Sequence, residues 1–162
     1  MISTTKPPTL LRAIIAGLAG GLVWISTMIL FFGPAQAILA NPEYQSQKFL
    51  SVMGQLDPLP YTTGAWWILP LGLLTIGVLY GIVYHFIRKA FLGKPWWKKG
   101  LQFGLITWVL MVPWFEFYLP WNVMHEPVML VAFEMVLWLG VLLMVGITIA
   151  IVYEWRNIKK LI

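Results

Sequence analysis

Glu116, His125, Glu126 and Glu134 are the residues in the second half of the chain whose side chains could do chemistry where water is scarce. They flank or lie within Pro120-Trp121-Asn122-Val123-Met124-His125-Glu126-Pro127, with Glu116 about 6 Å before Pro120 and Glu134 about 10 Å beyond Pro127 at 1.5 Å per helical residue. An ionised group near the centre of a membrane helix costs roughly 2.5–3.5 kcal/mol on insertion scales, and less toward the interface. Such residues face the bundle interior and pair or take up a proton. The expectation is a polar intramembrane site in which Glu116 and Glu134 face each other, sharing a proton or binding a cation or ligand headgroup, with His125 and Glu126 at its mouth. In the plainer alternative Glu116 snorkels to the interface beside Trp114 and Tyr118, and Glu134 is a protonated contact between helices.

Other chemistries are poorly served by these residues. His85 and His125 lie most of a bilayer apart, which argues against a haem between them. His125, Glu126 and Glu134 are of metal-ligating type but lack a diagnostic spacing. Gly33-Pro34 and Gly93-Lys94-Pro95 read as turns, Gly17-Leu18-Ala19-Gly20-Gly21 lies inside an apolar run, and no serine-centred nucleophile motif is present. Cysteine is absent, which removes disulfides and thiolate chemistry. No catalytic residue, cofactor or metal is assigned, and the reading leans away from an enzyme.

The elements that must carry these residues are membrane helices. Of the 162 residues 60% are hydrophobic and 10% charged, with a mean hydropathy of +0.80, against roughly 25% charged in soluble proteins. The fold class is all-α integral membrane: a single domain, 1–162, with four spans over about 10–32, 65–86, 100–119 and 128–153. The net charge of +5 is read as contacts with anionic headgroups and as a topology signal, so nucleic acid is not expected as a partner.

The first run carries Arg12 near its start and follows Lys6 and Pro7-Pro8. A cleaved secretory signal ending at Ala35-Gln36-Ala37 is the rival reading, but about twenty apolar residues exceed the roughly 7–15 of a signal core, so an uncleaved anchor is preferred. The connection after it holds a short interfacial helix over about 42–53, with Asn41 as N-cap, Pro42 in the first position and Gly54 as stop. Phe49, Leu50 and Met53 share one face of that helix, opposite Gln45, Ser46 and Lys48. Asp57-Pro58-Leu59-Pro60 then breaks the chain. Trp66, Trp67 and Tyr84 suit headgroup levels, and Pro113 interrupts the third span. Trp24, Trp108 and Trp138 lie deeper. Ten of the eleven Lys and Arg residues fall at the N-terminus, between spans two and three, or at the C-terminus, which predicts a cell membrane protein with both termini cytoplasmic.

An internal repeat runs through the spans. Gly17 and Gly21 align with Gly100 and Gly104 at an offset of 83 residues, and Gly77 and Gly81 align with Gly146 and Ala150 at an offset of 69. Ile82-Val83-Tyr84 likewise matches Ile151-Val152-Tyr153. Two tandem helical hairpins related by a pseudo-twofold axis along the membrane normal are expected. Their small residues, four apart on one helix face, are assigned to helix packing. The carboxylates have no counterpart in the first hairpin, so any site they form is asymmetric.

The segments from Ala16 to Trp24, from Gly77 to Tyr84 and from Gly100 to Trp108, with the long first connection, resemble a broad group of uncharacterised bacterial four-span membrane proteins. That resemblance implies a four-helix bundle and brings no activity, substrate or site residue with it. The leading functional expectation is a structural or accessory protein packing by glycine faces, with the lipid bilayer and a second copy or another membrane protein as partners. A small transporter or channel using Glu116 and Glu134 is the alternative, and a lipid-modifying enzyme is the third.

Overall fold

The computed structural model describes residues 10–54, 64–91 and 95–158. Lys6 with Pro7-Pro8, the Asp57–Pro60 break, Gly93-Lys94 and the tail beyond residue 158 lie outside the described residues. The described chain is helical, with α1 at Leu10–Leu39, α2 at Gln47–Gly54, α3 at Ile68–Ile87, α4 at Trp96–Glu116 and α5 at Val128–Ile158. A 3-10 turn, Arg88–Phe91, extends α3, and a π-helical segment, Phe117–Val123, extends α4. Four of these stretches are long and apolar enough to cross a membrane. Their outward side chains are apolar, with Ile29, Leu110 and Met129 at least 70% exposed, as suits a multi-pass membrane protein in hydrocarbon.

The helices run further than composition alone indicates. α1 continues through Pro34 and carries Ala35-Gln36-Ala37 in its last turns, because Ala35 and Leu39 are buried against Leu130 of α5. α2 starts later than expected. Asn41 spends its side chain on the Glu43 N–H at 2.9 Å, closing a turn, and Ser46 caps the helix by accepting from the Phe49 N–H at 3.0 Å.

In space the order is α3, α1, α5, α4. α1 packs along α3 on one side and α5 on another, and α4 packs along α5. Glycine allows the closest approaches. A Cβ on Gly17 would stand 2.5 Å from the Gly77 carbonyl oxygen, one on Gly77 2.7 Å from Gly21 Cα, and one on Gly81 2.8 Å from Gly17 Cα. In the other pair, a Cβ on Gly100 would lie 2.6 Å from Ile147 Cα, one on Gly104 2.5 Å from the Leu142 carbonyl oxygen, and one on Gly146 2.9 Å from Gly104 Cα. Backbone meets backbone at these positions, so the glycine faces are occupied within the chain. Ala150 is fully buried in the same core.

The contacts between the two pairs are not equivalent. A twofold axis carrying α1 onto α4 and α3 onto α5 would make the α1–α5 and α3–α4 interfaces alike. The first is closely packed; the second is open. The repeat offsets carry Gly20 onto Phe103 and Ile149 onto Tyr80. A Cβ on Gly20 would stand 2.7 Å from Ile149 Cγ1, whereas Phe103 and Tyr80 meet edge to face with centroids 6.3 Å apart. Two large rings occupy the place of glycine and isoleucine and hold α3 and α4 apart. The result is an apolar groove of about 550 Å3 along these two helices, bridged where the Tyr80 hydroxyl donates to Met111 Sδ at 3.2 Å.

An aromatic column fills the interior. Phe32 meets Trp138, Trp138 meets Trp24, Trp24 stacks on Tyr80 at 5.4 Å, and Phe103 joins Tyr80 to Tyr84 and thence Tyr153. Trp24 and Trp138 are therefore core residues. At one end of the column are the start of α1 and the end of α5, here the terminal end; at the other is the turn between α4 and α5, the turn end.

Candidate functional site

The site is assembled by α4, α5 and the first connection at the turn end. Trp108 sets the register: its indole N–H donates to the Met135 carbonyl at 2.9 Å and fixes α4 against α5 one residue from Glu134. Two turns further along α4, Glu116 is fully buried. Pro113 lies one turn before it, and Pro120 has no N–H to return to the Glu116 carbonyl. The helix widens there. The Met124 N–H bonds to the Leu119 carbonyl, five residues back, at 3.0 Å, and the Glu126 N–H bonds to the Pro120 carbonyl at 2.9 Å. His125 takes a φ of 58°, reversing the chain so that Glu126 turns inward while the imidazole is exposed.

The structure brings Glu116, Glu126 and Glu134 together and leaves His125 outside. The Glu116 carboxyl is bordered by the Glu134 carboxyl and the Trp138 side chain. Both of its oxygens are buried without an aligned hydrogen-bond donor. Two ionised carboxylates are acceptors only and can bond to each other solely through a proton. Glu126 is near enough to act electrostatically on both of the others. Among the described residues, no Lys or Arg takes part in the interactions of these three acids.

The first connection completes the site through a residue expected on a solvent-facing polar helix face. Gln45 is buried, and its amide donates to Glu126 Oε1 at 2.6 Å and to the Leu39 carbonyl at 3.0 Å. Beside it, the Ser46 hydroxyl donates to the Met124 carbonyl at 2.6 Å. The Ala40–Ser46 loop is thereby clasped to the α4–α5 turn. No sequence signal marked Gln45, since its partner is 81 positions away. The second Glu126 oxygen is buried and unpaired. Burial pushes the Glu126 carboxyl above its ordinary value, and the hydrogen bond from Gln45 offsets part of that rise.

Chemically this is an acceptor-rich, donor-poor cluster in which carboxyl groups can share a proton. No group of three His, Cys, Asp or Glu among the described residues has metal-centre geometry. Comparison with protein-family models, with curated proteins and with solved structures gives no match.

Proposed function

We propose that the chain is an accessory protein of the cell membrane, built as two tandem hairpins with a short interfacial helix in the first external connection and both termini cytoplasmic. Its chemistry is confined to an outward-facing carboxylate site, Glu116, Glu126 and Glu134, which takes up a proton or a small cation. The orientation rests on ten of the eleven Lys and Arg residues falling, in sequence, at the N-terminus, between spans two and three, or at the C-terminus.

One observation carries the reading: three acids, two of them buried, lie within electrostatic range of one another, and among the described residues Gln45 provides a side-chain donor to Glu126 but no cation answers the charge. Mutual repulsion of like charges in a dry site is relieved when a proton or cation enters. An accessory role is preferred to a conduit because the aromatic column from Phe32 to Tyr153 fills the space below the site, and the glycine faces seal the helix pairs.

The test uses purified protein in nanodiscs. Proton uptake after a pH step, and thermal stabilisation by added sodium or calcium, are compared between the native chain and the Glu116→Gln/Glu134→Gln double variant. The native protein is expected to show at least one response that the variant lacks. Identical responses in the two proteins would remove the site. Glutamate-dependent flux of protons or cations in proteoliposomes would replace the accessory role with transport.

A further inference from the structure

At the terminal end the charge balance is reversed. Arg88 follows α3, Lys99 lies in the first turn of α4, and both reach the same Glu154 oxygen, at 3.6 and 3.5 Å. Among the described residues, Arg88 and Lys99 share this one carboxylate. The Arg12 and Arg88 guanidinium groups also lie over the Tyr153 ring, at 5.4 and 5.0 Å from its centroid. All of these side chains are largely withdrawn from the surface, with Arg88 at 19% exposure and Lys99 at 16%.

Two buried donors in the same cluster have no acceptor among the described residues. The Tyr84 hydroxyl, on a fully buried residue, and the Arg88 Nε–H make no hydrogen bond. Tyr84 is within electrostatic range of both Arg88 and Glu154. A buried donor left unpaired costs about 1–3 kcal/mol, so the cluster is set to receive oxygen atoms carrying negative charge.

The groove between α3 and α4 is lined at its terminal end by neighbours of this cluster. Its walls at the terminal end are Ile87, next in sequence to Arg88, and Phe103, one helical turn beyond Lys99. Phe103 itself contacts Tyr84, with centroids 5.3 Å apart. The helices that wall an apolar groove of about 550 Å3 therefore also carry the two cations, one residue beyond Ile87 and one turn before Phe103. An anion with an apolar tail matches both parts, and a basic pocket between membrane helices at the leaflet surface is the setting in which anionic headgroups are held.

We propose that this groove and cluster seat one anionic phospholipid. An acyl chain lies along Tyr80, Phe103 and Leu110, and the headgroup phosphate lies on Arg88 and Lys99, with the Tyr84 hydroxyl as a further donor. The lipid comes from the leaflet at the terminal end. Its seat exists because Phe103 and Tyr80 hold open the interface that Gly20 and Ile149 close on the other side.

Native mass spectrometry and lipid-dependent thermal stability of the full chain in detergent test this proposal. The probes are phosphatidylglycerol, phosphatidylcholine and inorganic phosphate. One phosphatidylglycerol is expected to be retained and to stabilise the protein, with little effect of the other two. Affinity should fall roughly thirtyfold in Arg88→Gln/Lys99→Gln, at about fivefold per basic residue, and Lys99→Arg should retain it. Leu110→Trp, filling the groove while leaving the cations in place, should also reduce lipid retention.

Equal retention of phosphatidylcholine would overturn the assignment of the headgroup. Stabilisation by inorganic phosphate equal to that by phosphatidylglycerol would overturn the lipid as occupant. Unchanged binding in both Leu110→Trp and the double charge variant would overturn the site altogether. Helical circular dichroism and a monodisperse elution profile establish that each variant compared is folded.

Discussion

Glu126 and Gln45 show how a single contact sets the character of the acid cluster. Among the described residues, this is where a side-chain donor meets one of the three carboxylates with ordinary hydrogen-bond geometry. Because the Glu126 carboxyl titrates above its ordinary value of 4.5, the folded protein holds this proton more tightly than the unfolded chain does. Its contribution is therefore greatest on the acid side and is lost as pH rises through the raised value. Unfolding followed as pH is raised from the ordinary carboxylate value should show stability falling, with a flatter profile in Glu126→Gln. Gln45→Ala should move the loss to higher pH, since the bond that favours the charged form is gone. It should also cost about 1–3 kcal/mol at neutral pH by leaving both Glu126 oxygens unpaired. A native profile independent of pH would show that Glu126 does not titrate as this environment requires.

Among the helices, glycine positions divide into two kinds that sequence alone does not separate. Gly17, Gly77 and Gly104 face backbone atoms closer than 3.0 Å to an added Cβ, whereas Gly33 and Gly72 have open space beside them. Alanine is the better helix former by about 0.8–1 kcal/mol, so the same change should act in opposite directions. Gly77→Ala and Gly104→Ala should destabilise the protein by about 1–3 kcal/mol, as expected of overpacking a tight interface. Gly33→Ala and Gly72→Ala should be neutral or mildly stabilising. Denaturant titration in mixed micelles reads both; a uniform gain at all four positions would contradict the backbone contacts described here. The small-xxx-small pattern was legible in the sequence. Which glycines touch a neighbour depends on rotation about each helix axis, and that is a property of the packed pairs.

For the whole molecule, two clusters of opposite charge sit at the two ends of an aromatic column, acids at the turn end and basic residues at the terminal end. Transmembrane orientation is a property at this scale and can be tested directly, because the chain has no cysteine to remove. A single cysteine at exposed Gln47 should label with a membrane-impermeant thiol reagent from outside intact cells, and one at exposed Lys98 only after permeabilisation. The reverse pattern would invert the proposed topology.

The sequence by itself determined that four helices are long and apolar enough to cross a membrane and which residues are small enough for close packing, and it raised the facing of Glu116 and Glu134 as one of two alternatives. Hydrocarbon leaves the backbone few alternatives to helix, whereas two acids flanking a short turn can meet or point apart. Tertiary structure decided the rest. It expelled His125 through a positive φ, drew Gln45 to Glu126 from 81 positions away, and broke the equivalence of the repeat where Phe103 and Tyr80 stand for Gly20 and Ile149. These outcomes depend on which side chains meet across helices, and helical periodicity specifies a face without specifying its partner.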